Sequence, residues 1–228
     1  MALVSDAITY ARQKAQTDSN GISDTNGLAW ANSGLIDITR ELIKRDIDAS
    51  QTQESYATIN ATDTPPGRFA WPATMFMLKT ISINYTDSSQ LNFIQATKLD
   101  VSNLQGSTSV DFVRLNQPTN DPQFTNHGDT GEAFPTPLGS AIVKIFYYLA
   151  PTEYSTISSS ITYPQSLDYR VLGDKILECY YQSLENFDVA AQWGAQAVKK
   201  INDSIQILAP QSQQPISPTP LQISGWQF

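Results

Sequence analysis

The chain has 228 residues, 40% of them hydrophobic and only 16% charged, with a net charge of −8. That length and apolar content suit one large domain, or a domain with an insertion, around a real core. The acidic balance excludes a surface that wraps nucleic acid, which needs clustered Lys and Arg, and the single cysteine, Cys179, excludes a disulfide framework.

Cys179 is expected as a small buried apolar residue. No apolar run approaches the length of a membrane span. The first residues, MALVSDAITYARQKAQ, lack a basic start followed by an apolar stretch, so no signal peptide is expected and synthesis is placed in a cytoplasm.

Ser5 is positioned to cap a first helix that runs to about Thr17, with Asp6 favourable in its first turn. Residues 18–26, DSNGISDTN, read as a loop. A second helix is expected over 27–46. Leu28, Ala31, Leu35, Ile38 and Leu42 recur at three- and four-residue steps and form one apolar stripe. Trp30, Ile36 and Ile43 fall off that line, which predicts a second buried face, against a neighbouring element or another subunit.

The middle is β-rich. Residues 52–60 alternate weakly and suit a strand through Tyr56 and Ile59, and Pro65, Pro66 and Gly67 force a turn. Residues 75–85, MFMLKTISINY, have strand composition. A strand restarts over 91–94, a short helix is expected over 97–105 and another strand over 110–115. Residues 116–138 hold four prolines and read as a long loop or hairpin arm. Residues 141–149, AIVKIFYYL, are the strongest strand, and their near-continuous apolar run predicts burial on both faces.

Helices return after Pro164. Ser166 or Asp168 caps one to about Leu184, and Asn186 or Asp188 starts the next, to about Leu208. The inward stripe of the last helix is Phe187, Ala190, Gly194, Ala197, Ile201, Ile205 and Leu208.

Residues 209–228, APQSQQPISPTPLQISGWQF, follow. Pro210, Pro215, Pro218 and Pro220 forbid helix and central strand, so this segment is read as extended. It carries no charge, yet holds Leu221, Ile223, Trp226 and Phe228. A docking arm accounts for those side chains, since burying each large group on a partner yields about 2–3 kcal/mol. The alternatives are a tail packed on its own domain, or disorder.

The fold class is therefore α+β: a helical bundle from the N- and C-terminal helices, an inserted β-rich middle and an extended C-terminal arm. Its parts are residues 1–48, 49–165, 166–208 and 209–228.

Signals of chemistry are weak. His127 is the lone histidine and is expected as an exposed loop residue. Zinc needs three or four N or S ligands, which this composition does not supply. Asp121, Asp129 and Glu132 lie near one another in sequence, but not at the spacing of a calcium loop. Asp46 and Asp48 read as a solvated face. Phe146, Tyr147 and Tyr148 read as core strand, and Trp71 beside Pro72 as a sheet-edge residue for which a sugar platform is the weaker alternative. No phosphate loop, nucleophile elbow or paired-cysteine motif is present. No enzyme activity, cofactor or metal is expected.

The order of segments, and several pieces of sequence, resemble the head-to-tail connector, or portal adaptor, proteins of tailed bacteriophages. The pieces are ITRELIKRD (38–46) closing an N-terminal helical pair, the strand entry FAWPATMFMLKTISI (69–83), the segment PQFTNHGDTGEAFPTPLGSAIVKIFYYLAPTEY (122–154), and the helical hairpin LGDKILECYYQSLENFDVAAQWGAQAVKKINDSIQIL (172–208).

The resemblance implies a homo-oligomeric ring of twelve subunits in the head-tail neck of a virion, made in a host bacterial cytoplasm. It implies contacts with the portal protein and with a tail or neck protein, and a channel through which DNA passes without specific binding. Membrane contact is not implied. The arm residues would anchor to the portal or a neighbouring subunit, and Trp30, Ile36 and Ile43 would form a subunit contact. A phage fibre-attachment or carbohydrate-binding module is the alternative.

Overall fold

The computed structural model describes residues 2–45, 47, 49–64, 66–86, 92–99, 117–162 and 167–208. The strand expected over 110–115 and the arm over 209–228 lie outside the described residues. Among those described, the fold is α+β, with four helices and two mostly antiparallel sheets.

The chain divides into two compact units. One takes residues up to Gly34 and from Tyr154 onward, and the other is Leu35–Glu153. The division falls inside the second helix, not after residue 48, and at Tyr154, not at 165. Local contacts account for this. Asn32 exchanges two hydrogen bonds with the Tyr154 backbone, at 2.7 and 3.1 Å, within the first unit. Within the second, the Arg40 guanidinium lies 5.6 Å from the Phe76 ring centre.

The first unit is helical. Helix α1 spans Val4–Ala15. Ser5 does not cap it. The backbone N–H groups of Val4 and Ser5 donate to Ser159 O at 3.0 Å and Ile157 O at 2.8 Å, and the Asp6 carboxylate accepts from Leu3 N–H at 2.8 Å. A returning chain segment thus satisfies donors that a Ser side chain would otherwise serve. The helix ends before Thr17 because Gln16 turns left-handed, with φ 53°. Gln16 N–H then donates to Gln13 O and Thr17 N–H to Arg12 O, the Schellman pairing.

Helix α2 spans Asp24–Ile43, starting three residues earlier than its apolar stripe suggests. The Ser23 hydroxyl accepts from Asn26 N–H at 3.1 Å, and Asp24 pairs with Arg12 at 2.7 Å. A cap and a first-turn acid therefore bring the end of the expected loop into the helix.

Helix α3 spans Arg170–Ser183 and helix α4 Phe187–Leu208. The N-cap of α3 is Tyr169, not Ser166 or Asp168, although the Asp168 carboxylate accepts from Arg170 N–H at 2.9 Å just before the first turn. The Asn186 side chain accepts from Val189 N–H at 3.4 Å and opens α4. Between them Glu185 adopts φ 58°, and Asn186 N–H reaches back to Tyr181 O at 2.9 Å, a second Schellman turn without glycine. Of the α4 stripe, Ala190, Ala197 and Ile201 are buried. Phe187 is not: it lies 66% exposed, because it sits in the first turn beside the tight connection, beyond the reach of α3.

The second unit holds two four-stranded sheets. The strands are β1 (Thr52–Asn60), β2 (Arg68–Ala70), β3 (Met75–Asn84), β4 (Ile94–Gln95), β5 (Thr97–Lys98), β6 (Gln123–His127), β7 (Thr130–Phe134) and β8 (Ser140–Leu149). One sheet has the order β1-β8-β3-β4 and the other β2-β7-β6-β5, with β5 and β6 the parallel pair. A shared core of Ile59, Phe69, Ile81, Ile83, Phe124 and Val143 draws on both sheets.

Thr97 and Lys98 are strand, not helix. Thr97 N–H donates to Pro122 O at 3.0 Å and Leu99 N–H to Phe124 O at 2.7 Å, so pairing with β6 overrides local propensity. Residues 116–138 contain a hairpin, β6–β7, turning at Gly128 with φ 71°.

Strand β8 is central, paired with β1 through Tyr56↔Lys144 and with β3 through Ile81↔Ile145. Its burial alternates instead of covering both faces. Ala141, Val143, Ile145 and Tyr147 are buried, whereas Ile142, Lys144 and Phe146 on the other side are half-exposed and only Tyr148 there is buried. One cation covers the outer aromatics: Lys79 lies 5.3 Å from the Phe146 ring and 5.1 Å from the Tyr148 ring. A charged side chain thus shields a face that composition alone reads as core.

Candidate functional site

The richest polar constellation among the described residues is in the helical unit. It begins with an aspartate in an apolar stretch. In α3, Val171, Leu172, Gly173, Asp174, Ile176 and Leu177 are all buried, and Asp174 is fully so. A buried carboxylate requires partners. Lys200 of α4 supplies an ammonium 2.6 Å from Asp174 Oδ2, and Tyr10 of α1 donates its hydroxyl to Oδ1 at 3.1 Å. Lys200 Nζ also donates to the Tyr10 oxygen at 3.3 Å, closing a triangle across three helices.

Gly173 makes this approach feasible. A Cβ there would collide with the Tyr10 ring and press on Ala7 O. Glycine therefore brings α1 and α3 close enough for the phenol to reach Asp174.

Burial pushes the Asp174 carboxyl up from its ordinary value, against the pull of Lys200 and the Tyr10 hydrogen bond. Burial would lower the Lys200 ammonium, but Asp174 outweighs it and the net direction is up. Burial, then the charge of Asp174, raises the Tyr10 phenol. Lys200 and Tyr10 therefore keep their protons at neutral pH. The triangle acts as a polar lock that pins α1, α3 and α4 in one register.

Tyr10 and Lys200 of the lock also line an open cleft of about 690 Å³. Its rim carries Lys14, Tyr169, Arg170 and Asp203. Tyr10 and Tyr169 meet edge to face at 6.5 Å, and Lys14 lies 5.8 Å from the Tyr10 ring. Arg170 is offset by Asp168 at 3.7 Å.

The residues singled out from sequence are dispersed. The arm residues Pro210, Pro215, Pro218, Pro220, Leu221, Ile223, Trp226 and Phe228 lie outside the described residues. Ile36 is half-buried, and Ile43 is buried within its own chain. Trp30 is half-buried, with its ring 6.1 Å from that of Tyr180. Ile36 and Ile43, two turns apart, share one side of α2, and Trp30 lies off that line.

An apolar tip is exposed at the α3–α4 turn, and it includes Phe187, which the sequence stripe placed inward. Leu184 is 56% and Phe187 66% accessible at the α3–α4 turn. Cys179, expected to be buried, is half-buried.

His127 ends strand β6 instead of lying in a loop, and its Nε2 sits 3.0 Å from the buried Glu132 carboxylate. Arg68 approaches the same carboxylate at 3.8 Å. Among the described residues, no group of three or more His, Cys, Asp or Glu side chains gathers as a metal site would require. Trp71 packs edge to face on Phe69 at 5.1 Å and donates to Asn126 Oδ1 at 3.3 Å. Gly131 lies beneath both rings, where no Cβ would fit.

Sequence reasoning missed the Tyr10–Asp174–Lys200 lock. The available signal was a charged pair, Asp174-Lys175, inside the otherwise apolar run of α3. No helix among the described residues is long and apolar enough to cross a membrane. Comparison with known proteins finds no family model and no curated protein that matches the chain.

Proposed function

We propose that this chain is a non-catalytic structural protein of a tailed-phage virion, a ring-forming adaptor between portal and tail in the neck. One observation carries the reading. Residues from the two ends of the chain share one helical unit, and the β-rich stretch Leu35–Glu153 forms a second compact unit between them. This supports the connector resemblance, which implies a helical bundle with a β-rich insertion and a Pro-rich arm after the last helix.

Further features support it. Exposed Leu184 and Phe187, with half-exposed Trp30 and Ile36, offer apolar area that neighbouring subunits in a ring would cover. The net charge of −8 suits a channel that DNA passes without sticking. The neutral arm, with Leu221, Ile223, Trp226 and Phe228, suits an anchor on the portal or an adjacent subunit.

The test is the mass of the purified chain, alone and mixed with a portal ring, for the full chain and for a variant lacking residues 209–228. The adaptor reading expects the full chain to join the portal as a ring, and the shortened chain to stay folded without attaching. A full chain that ignores the portal refutes the adaptor. A shortened chain that still attaches refutes the anchoring role of the arm.

A further inference from the structure

The β-rich unit contains a pocket of about 550 Å³ whose described lining carries no charged side chain. Its walls are Tyr85, Thr86, Asn92, Phe93, Thr119 and Asn120, with Ile94 at the edge. The volume falls within the range of roughly 300–1,000 Å³ usual for small-molecule sites. The lining combines two aromatic rings, two amides and two threonine hydroxyls.

Part of this wall is rigid. Tyr85 packs against the shared core and donates its hydroxyl to Pro135 O at 2.8 Å. Thr86 is held by the buried Asn84, whose side-chain oxygen accepts from Thr86 N–H at 3.0 Å and from its hydroxyl at 3.2 Å. The Thr86 oxygen keeps its lone pairs for an incoming donor. Phe93 is braced by Tyr56, their rings 6.0 Å apart.

The rest is uncommitted. Asn92, Thr119 and Asn120 are exposed, and none has a side-chain hydrogen bond to another described residue. Each amide therefore offers a donor and an acceptor side by side, which matches two adjacent hydroxyls of a sugar ring. An aromatic face beside such groups suits the C–H face of a pyranose. The described lining residues offer a charged ligand no counter-charge.

We propose that this pocket binds a neutral saccharide, stacked on Phe93 and hydrogen-bonded by Asn92, Asn120 and Thr86. The site is independent of the adaptor role.

The experiment is an NMR titration of the full chain with maltotriose, chitotriose and lactose, with glutamate and inorganic phosphate as charged probes. Saturable shifts at Thr86, Phe93, Thr119 and Asn120 with at least one neutral sugar are expected. Phe93→Ala should weaken binding about tenfold. Because Phe93 is half-buried, Asn120→Ala, at an exposed position, serves as the second variant and should weaken it severalfold. Absence of shifts with all three sugars overturns the proposal. Unchanged affinity in both variants does so too, as does occupation of these residues by the charged probes alone.

Discussion

Replacing Lys200 by Met keeps the aliphatic length of the side chain and removes the ammonium that lies 2.6 Å from Asp174. The fully buried carboxylate is then left with the Tyr10 hydroxyl, 3.1 Å from Oδ1. Removing one partner of a buried ion pair costs about 3–5 kcal/mol, because the remaining charge is uncompensated. The Lys200 side chain is 33% exposed, so solvent already shares in its charge and the lower end applies, about 3 kcal/mol. For a chain of this size that is roughly 6–12 °C in Tm.

The loss depends on pH in a defined direction. Burial already raises the folded Asp174 carboxyl above the ordinary value of 3.8, and losing Lys200 raises it further, while the unfolded value stays put. The folded state then holds its proton to higher pH than the unfolded state. Stability of Lys200→Met falls as pH rises from the unfolded value through the folded one, and below both values the penalty disappears. Thermal melts of wild type and variant from pH 3.5 to 8 measure this, and adding Asp174→Asn should restore most of the loss at pH 7. A penalty below about 1 kcal/mol at pH 7, a penalty of equal size at pH 3.5, or no rescue by Asp174→Asn would refute the account of the lock.

Two helix ends turn through non-glycine residues in the left-handed region, Gln16 with φ 53° and Glu185 with φ 58°. Gln16→Gly and Glu185→Gly should each stabilise by about 0.5–1 kcal/mol in urea titrations, since relief of the left-handed strain exceeds the added chain entropy. In the β-rich unit, Gly131→Ala should destabilise by about 1–3 kcal/mol, as the new methyl must displace Phe69 and Trp71. A loss of near-ultraviolet circular dichroism with retained far-ultraviolet signal would locate the damage at those rings.

Much of the secondary structure was legible because its signals are local. The weak alternation over 52–60 became β1 with those bounds, and the β-rich composition of 75–85 became β3. Asn186 was readable as a helix start because a cap depends on residues two or three positions away. Local reading failed where a distant segment took over. Ser5 was displaced as a cap by carbonyls of Ile157 and Ser159, and Thr97 was drawn into a strand by Pro122 and Phe124.

The sequence by itself determined the α+β class, the central apolar strand β8, the start of α4, and the low, acidic charge, because composition and short-range periodicity carry these directly. Only the tertiary structure decided that Tyr10 meets Asp174 across 164 positions, that one cation covers the outer aromatics of β8, and that Phe187 is exposed. Those facts depend on which surfaces close upon one another. A side chain's type states what it requires when buried, and the packing of distant elements decides whether it is buried and which groups it meets.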